Sequence, residues 1–436
     1  MSATARMWRT ALAAGLALAC ARALAAELEP VSPSAAVTAS VATNLTLTSA
    51  VELAVRDNAE LKSLRAKWEA MRERPAQAGA LANPMLTYGG MDMASGGAWP
   101  DTNEKRLMVE QEFPWLGKRG LRAGIAEKEA EAMQRELEAM TLEVVMRVKE
   151  TYFDLRAIQR ALAIVGDEGE VLRRMAKIAE TMYASGERPQ QDALKAQAEV
   201  TLLKQKLLEL KARETTLKAR LNTLLNRRAD APLGEAVSPP EPGPVGDLEQ
   251  SFATAATNRP EVRMAQAQVE RYELETKLMA KEVVPDYRLG LEYRTFDDSD
   301  DMVMFTVGLD LPIWRSKYRA GVREAEKMAA SSRAALASAE RESAFDVQDA
   351  SFNLMTARRT LDLYRAELIP QAVARLASSE AGYRAGKVDF MDYLESERFL
   401  LEVRTMQAMT EGAVGMQAAR LERAVGTAAP GEEKTR

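Results

Sequence analysis

The chain has 436 residues, 28% of them charged, with a net charge of −5, 6% aromatic residues and no histidine. So small an imbalance over this length leaves no electrostatic footprint for nucleic acid, and the missing histidine removes the commonest metal ligand and general base. Ala, Leu, Glu, Arg, Met and Gln dominate, a helix-former composition thin in the bulky side chains that fill globular cores.

The first residues read as an export signal. Arg6 and Arg9 precede an apolar run at 11–19, and Ala23-Leu24-Ala25 forms a small-residue cleavage site, so residues 1–25 are expected to be removed. The one cysteine, Cys20, ends the apolar run. Cleavage ahead of it would leave an acylated Cys20, although Ala17-Leu18-Ala19 lacks the usual leucine. Cleavage after Ala25 leaves a mature chain without cysteine, suited to an oxidising compartment. No later stretch reaches 18 consecutive apolar residues, so no membrane-spanning helix is expected.

Residues 47–80 read as one helix, with Val51, Leu53, Ala54, Leu61 and Leu64 at helical spacing. The period then changes. Residues 85–93 and 106–113 are strand-length, with a loop at 96–101 between them. A stretch of about 65 residues (118–182) follows, about 100 Å of helix at 1.5 Å per residue. After a turn at Gly186, Ala196, Val200, Leu203, Leu207, Leu210, Leu217, Leu221 and Leu224 keep a 4-3 spacing, the mark of a coiled-coil seam. Residues 229–246, with Pro232, Pro239, Pro240, Pro242 and Pro244, read as a linker.

The order then repeats. Tyr287, Leu289, Leu291 and Tyr293 alternate with Arg288, Gly290 and Glu292, while Val303, Phe305, Val307 and Leu309 alternate with Met304, Thr306 and Gly308. An acidic turn, 296–301, joins the two runs. It lacks the glycine and glutamate of a calcium loop. A second long helix (317–382), a turn at Gly386 and a final Ala- and Met-rich helix (388–426) complete the chain. Six landmarks match at offsets of 198–201 residues: Asn58 with Asn258, Pro84 with Pro285, Pro114 with Pro312, Val148 with Val347, Tyr183 with Tyr383, and Leu221 with Leu421. This register predicts two internal repeats, 45–228 and 247–426, before a tail at 427–436.

Each repeat offers two amphipathic strands of about 9 residues, the length of a tilted membrane strand. Strands cross lipid only as a closed barrel, and four strands cannot close one, since membrane barrels need about eight or more. Several chains must then share a barrel. The other reading is a periplasmic coiled-coil scaffold that never inserts, its hairpins docked on its own helices.

The hairpin, the proline-aromatic junction, the long helix, the Tyr-x-x-Gly turn and the final helix, each present twice, resemble the TolC family of outer-membrane efflux ducts. The likeness covers residues 45–426, and its most specific stretch is 381–395, AGYRAGKVDFMDYLE. The FPWLGKR run at 113–119 is most similar to the heavy-metal branch of the CusC and CzcC kind. The resemblance implies a mainly α chain with a small membrane β portion. Three chains would form a 12-stranded β-barrel, four strands each, continued by a long α-helical coiled-coil periplasmic tunnel. It also implies a passive duct that works with a periplasmic adaptor and an inner-membrane pump, exporting heavy-metal cations. Multidrug efflux and type I protein secretion through the same channel are alternatives.

The resemblance places Asp392 and Glu395, one helical turn apart, at the periplasmic aperture, where three chains would gather six carboxylates on one axis. Their plain reading is a pair of solvated surface acids. Tyr183, Gly186, Tyr383 and Gly386 fall at the tips that would meet the adaptor, although reversal of the chain alone explains the glycines. Val388 stands where the family can carry an arginine, which argues against an arginine–tyrosine latch. Pro114 and Pro312 sit where strand becomes helix, and Trp115 and Trp314 fall at the barrel-to-helix junction, where indoles suit either the bilayer interface or the tunnel wall. The 22 methionines are scattered and serve as helix formers and gap-fillers. There is no catalytic constellation, and no cofactor is expected.

Overall fold

The computed structural model describes residues 44–93, 102–239, 243, 246–296 and 300–427. The export segment with Cys20, the turn at 96–101, much of the acidic turn at 296–301 and the tail at 428–436 lie outside the described residues.

The first half opens with a two-residue strand, β1 (Asn44–Leu45). Three short helices replace the single helix expected over 47–80: α1 (Leu47–Asp57), α2 (Ala59–Arg72) and α3 (Arg74–Ala78). The break after α1 is made by Asn58. Its Oδ1 accepts from the Glu60 and Leu61 amides at 2.9 and 3.2 Å, capping α2, while its Nδ2 donates to the Leu224 carbonyl at 3.0 Å. Pro75, in the first turn of α3, separates α2 from α3.

Strands β2 (Met85–Met93) and β3 (Thr102–Phe113) form the first hairpin. The helix α4 (Lys118–Ala184) then runs unbroken for 67 residues, and α5 (Gln190–Leu224) returns along it. All eight residues of the expected seam on α5 are buried or half-buried, with Leu221 fully enclosed. Strand β4 (Glu235–Ala236) pairs in parallel with β1.

The second half repeats this order with α6 (Leu248–Asn258), α7 (Pro260–Lys281), β5 (Tyr287–Phe296), β6 (Met302–Leu309), α8 (Arg315–Leu363), α9 (Ile369–Arg384) and α10 (Phe390–Val425). Here the expected continuous helix over 317–382 is interrupted. Pro370 has no N–H for the carbonyl four residues back, and the turn just before it widens into a π-helical segment, Tyr364–Leu368.

The main core follows α4. Val144, Val148, Tyr152, Leu155 and Ile158 are buried against Leu45, Ala50 and Val51 around mid-length, and Leu203, Leu210 and Leu217 extend this core along α5. The Tyr152 hydroxyl lies 2.8 Å from the Leu45 carbonyl and 2.6 Å from that of Val237, which fastens the β1–β4 ribbon to the helix. On the other side, α10 approaches α4 through small residues. A Cβ at Gly412 would sit 2.7 Å from that of Ala157, and one at Gly415 would strike the Phe153 ring at 2.2 Å. The two helices approach closely at these two glycines.

Candidate functional site

The four longer strands form one antiparallel sheet in the order β2-β3-β5-β6, so the two hairpins meet along β3–β5. The register sets Leu86, Val109, Leu291 and Phe305 side by side in one row, and Tyr88, Leu107, Tyr293 and Val303 in the next. Directly opposed residues share a face, so these rows form one continuous apolar surface. That surface is open: Phe305 is 66% exposed. The opposite face carries Glu104, Arg106, Glu292 and Arg294, and there Glu292 is only 5% exposed. Arg294 bonds Glu292 at 2.6 Å and pairs with Glu104 at 3.3 Å across the strands. The sheet therefore shields its charges and presents its apolar side chains, the reverse of a water-soluble sheet.

The strand-to-helix junctions differ between the halves. Pro114 directly follows β3, where it ends the ladder, but α4 starts only at Lys118. Pro312 lies beyond the end of β6, two residues before Trp314, the residue preceding α8. Neither proline occupies a first helical turn, contrary to the expectation that each starts a helix. The first helix is launched instead by Gly117, at φ 91°, and by Lys118. Lys118 is 1% exposed, and its Nζ reaches Asp286 Oδ1 and the Val284 carbonyl, both at 2.9 Å, and Glu282 at 3.5 Å. Asp286 Oδ1 also accepts from the Trp115 backbone amide at 2.6 Å. One carboxylate thus fastens the first junction to the segment leading into β5. Reading the sequence overlooked this knot, although a lysine beside a glycine at a predicted junction was its signal. The Trp115 and Trp314 side chains are both exposed.

At the far end of the helices the two turns are built alike. The Met182 carbonyl accepts from the Glu187 and Arg188 amides, and the Gly382 carbonyl accepts from those of Lys387 and Val388. Gly186 and Gly386 take positive φ, 77° and 69°, as such helix ends require. The tyrosines are not alike. Tyr183 is 46% exposed, whereas Tyr383 is 7% exposed, packed on Phe390 and stacked on Tyr393 with ring centroids 5.5 Å apart. Tyr383 is therefore an internal side chain of the tip, not part of its outer surface. Val388 folds back on Gly382, where an added Cβ would meet its Cγ2 at 2.4 Å. The arginine absent there is supplied by the other half, because the Arg188 guanidinium lies 5.0 Å from the Tyr383 ring centroid. The contact comes from position 188 and not from 388, and it joins the two turns.

Asp392 and Glu395 are exposed in the first turns of α10. Glu395 pairs with Arg375 of α9 at 3.3 Å. Two other acids nearby are buried. Asp192 Oδ2 has no partner among the described residues, and burial, aided by the neighbouring charge of Asp389, holds its carboxyl above the usual range. Burial first, then hydrogen bonding toward Glu168 and the Glu168 charge, push Glu397 up to about 8. Sequence reading found neither, because nothing local marks them. Among the described residues no helix is long and apolar enough to cross a membrane, and no group of three or more acids or cysteines is placed to hold a metal ion.

Comparison with known proteins agrees with this architecture. The chain is 23% identical over 386 residues to the cobalt-zinc-cadmium resistance protein CzcC of Cupriavidus metallidurans, spanning 88% of this chain and 90% of that one. Its fold matches the outer-membrane channel OprN with a TM-score of 0.76 at 18% identity, covering 87% of this chain and 89% of that one. It matches CusC with a TM-score of 0.76 at 16% identity (87% and 92%) and the outer membrane protein VceC of Vibrio cholerae with 0.73 at 17% (87% and 96%). The family model described as outer membrane efflux protein matches residues 50–227 and 253–427. With four-fifths of its length so matched, the chain belongs to the outer membrane efflux protein family and is an outer-membrane protein extending into the periplasm.

Proposed function

We propose that the chain is the passive exit duct of a three-component efflux system, assembled as a homotrimer. Three four-stranded sheets would close a 12-stranded barrel in outer-membrane lipid, and the long helices would line a tunnel below it. The observation that carries this reading is the sheet itself. Its exposed face is apolar, its shielded face charged, and its outer strands β2 and β6 each pair on one side only. In lipid those edges need partners, and only further copies of the sheet provide them. The matching landmarks and the two matched segments support the reading of a duplicated unit, 45–228 and 247–426, joined by a linker.

A passive duct takes its driving force from an inner-membrane pump and reaches that pump through a periplasmic adaptor, with the turns at Gly186 and Gly386 as the contact. The exposed Tyr183 is available to such a partner. For Tyr383 the contact is indirect, through the backbone that it supports. Asp392 and Glu395 are assigned to the periplasmic aperture. The cargo we propose is heavy-metal cations, supported by the likeness to a cobalt-zinc-cadmium resistance protein.

Conductance tests the duct. Purified mature protein is expected to run as a trimer in mild detergent and to form channels in planar bilayers. A monomer without conductance would point to a scaffold that never inserts. Deleting the gene is expected to sensitise cells to cobalt, zinc or cadmium. Sensitivity to organic drugs alone, or loss of a secreted protein, would reassign the cargo while leaving the duct intact.

A further inference from the structure

Two carboxyl groups, one from each half of the chain, face each other inside the helical wall. Glu168 of α4 is 5% exposed and Glu397 of α10 is 3% exposed. The Glu168 carboxyl lies close enough to Glu397 to raise its affinity for a proton. Ionised carboxylates only accept hydrogen bonds, so a bond between the two requires a proton on one of them. Glu168 Oε1 is buried with no hydrogen-bond partner, and the pair borders a cavity of about 470 Å³ between α4, α5 and α10.

The surrounding charges do not neutralise the pair. From α5, Glu199 and Lys206 line the cavity, and from α10, Arg398 and Glu402. Arg398 is engaged by Glu199 at 3.5 Å. Arg404 favours ionisation of Glu397, while Glu380 of α9 opposes it, and burial outweighs both. With no fixed cation bonded to either carboxylate, the shared proton is what lets both stay inside.

We propose that Glu168 and Glu397 form a buried proton-binding site that clamps the long helix of the first half to the last helix of the second and loosens as its surroundings become alkaline. The sign follows from the direction of the shift. The packed pair holds its proton more tightly than a free carboxyl does. The clamp is therefore at full strength below the ordinary carboxylate range and weakens as pH rises toward about 8, where the packed Glu397 ionises. This inference does not depend on what the protein exports.

Hydrogen–deuterium exchange of the full mature protein in detergent, corrected for intrinsic rates, tests it. Between roughly pH 6 and roughly pH 9, opening around 165–172 and 394–401 is expected to rise on the order of ten-fold or more. In Glu397→Gln the amide donates to Glu168 at every pH, so the same segments are expected to show no such rise. The infrared band of a protonated carboxyl, present at neutral pH, is expected to vanish in this variant. Glu168→Gln gives the same two readouts if Glu397→Gln does not assemble. The proposal is overturned if wild-type protection is flat with pH, if the variants keep the full pH dependence, or if the carboxyl band is absent. Zinc that removes the band while strengthening protection at neutral pH would likewise overturn it, in favour of a metal site.

Discussion

Arg188 lies over the face of Tyr383 at 5.0 Å, so the turn of the first half rests on the tyrosine of the second. The contact is specific to this pairing. Position 388, the counterpart of 188, holds a valine that is used up in packing on Gly382.

Removing the ring is expected to cost more than removing the charge. Tyr383→Ala should lose about 3 kcal/mol, because a nearly buried aromatic leaves a cavity against Phe390 and Tyr393. Arg188→Ala should lose about 1 kcal/mol, the scale of a partly exposed cation–π contact. Limited trypsin digestion reads this at Arg384 and Lys387, which sit in the loosened turn. Cleavage as slow in Tyr383→Ala as in the wild type would show that the ring does not hold the tip together.

At the opposite end, Lys118→Ala is expected to destabilise the protein by about 3–5 kcal/mol, since it takes the buried cation away from the Asp286 carboxylate. Asp286→Ala should cost a similar amount, because it takes the nearer carboxylate from Lys118 and the acceptor from the Trp115 amide. Thermal unfolding in detergent provides the measurement. A loss below about 1 kcal/mol in both variants would mean that water replaces the missing partner without difficulty.

Neighbouring residues on β6 separate a membrane sheet from a docked one. Phe305→Lys places a charge on the apolar face and is expected to cost about 2–4 kcal/mol in lipid, depleting the outer-membrane fraction. Met304→Lys, one residue earlier, points to the face that already holds Glu292 and is expected to insert normally. Equal insertion of the two variants would argue that this sheet does not meet hydrocarbon.

The paired variant Asp392→Ala with Glu395→Ala is expected to weaken cation preference and relieve block by multivalent cations at the periplasmic mouth. Stability should change by no more than about 0.5 kcal/mol per site, as both side chains are exposed. Arg375→Gln should act in the opposite sense, by freeing the Glu395 carboxylate from its partner. Reversal potentials in a salt gradient report both. Identical selectivity in all three proteins would place these acids away from the conducting path.

What could be read in advance follows the range of the interactions involved. The strict alternation of Val303, Phe305 and Val307 and the 4-3 seam from Ala196 to Leu224 are local patterns, and both appear where expected. The break at Asn58 was also local, an asparagine two and three residues ahead of amides that it caps, but five apolar residues at helical spacing masked it. Pro370 was equally visible, and its widened turn is the usual answer of a long helix to a proline. The Lys118 knot and the Glu168–Glu397 pair belong to a different class. Their partners lie 286 − 118 = 168 and 397 − 168 = 229 positions apart. No window along the chain contains both members, so the glycine beside Lys118 marks a junction without naming its partner, and Glu168 and Glu397 look like ordinary surface charges. The same holds for the aperture and tip assignments, which came from resemblance, and the burial of Tyr383 is visible only once α9 and α10 are placed side by side.

The β3–β5 seam also dictates an order of events. Phe113 pairs with Tyr287, 287 − 113 = 174 positions later, so the middle of the sheet cannot zip until most of the chain has arrived. Closing a loop of that length carries an entropic penalty that local hairpins escape, and such non-local pairing is slow. The first hairpin therefore travels with its greasy side and both edges unprotected, in the very compartment where it is most prone to stick to others like itself. The strand order thus leaves the first hairpin's edges unpaired until the second half is delivered. A truncated product ending at the linker would be expected to aggregate in the periplasm instead of waiting there as a folded half.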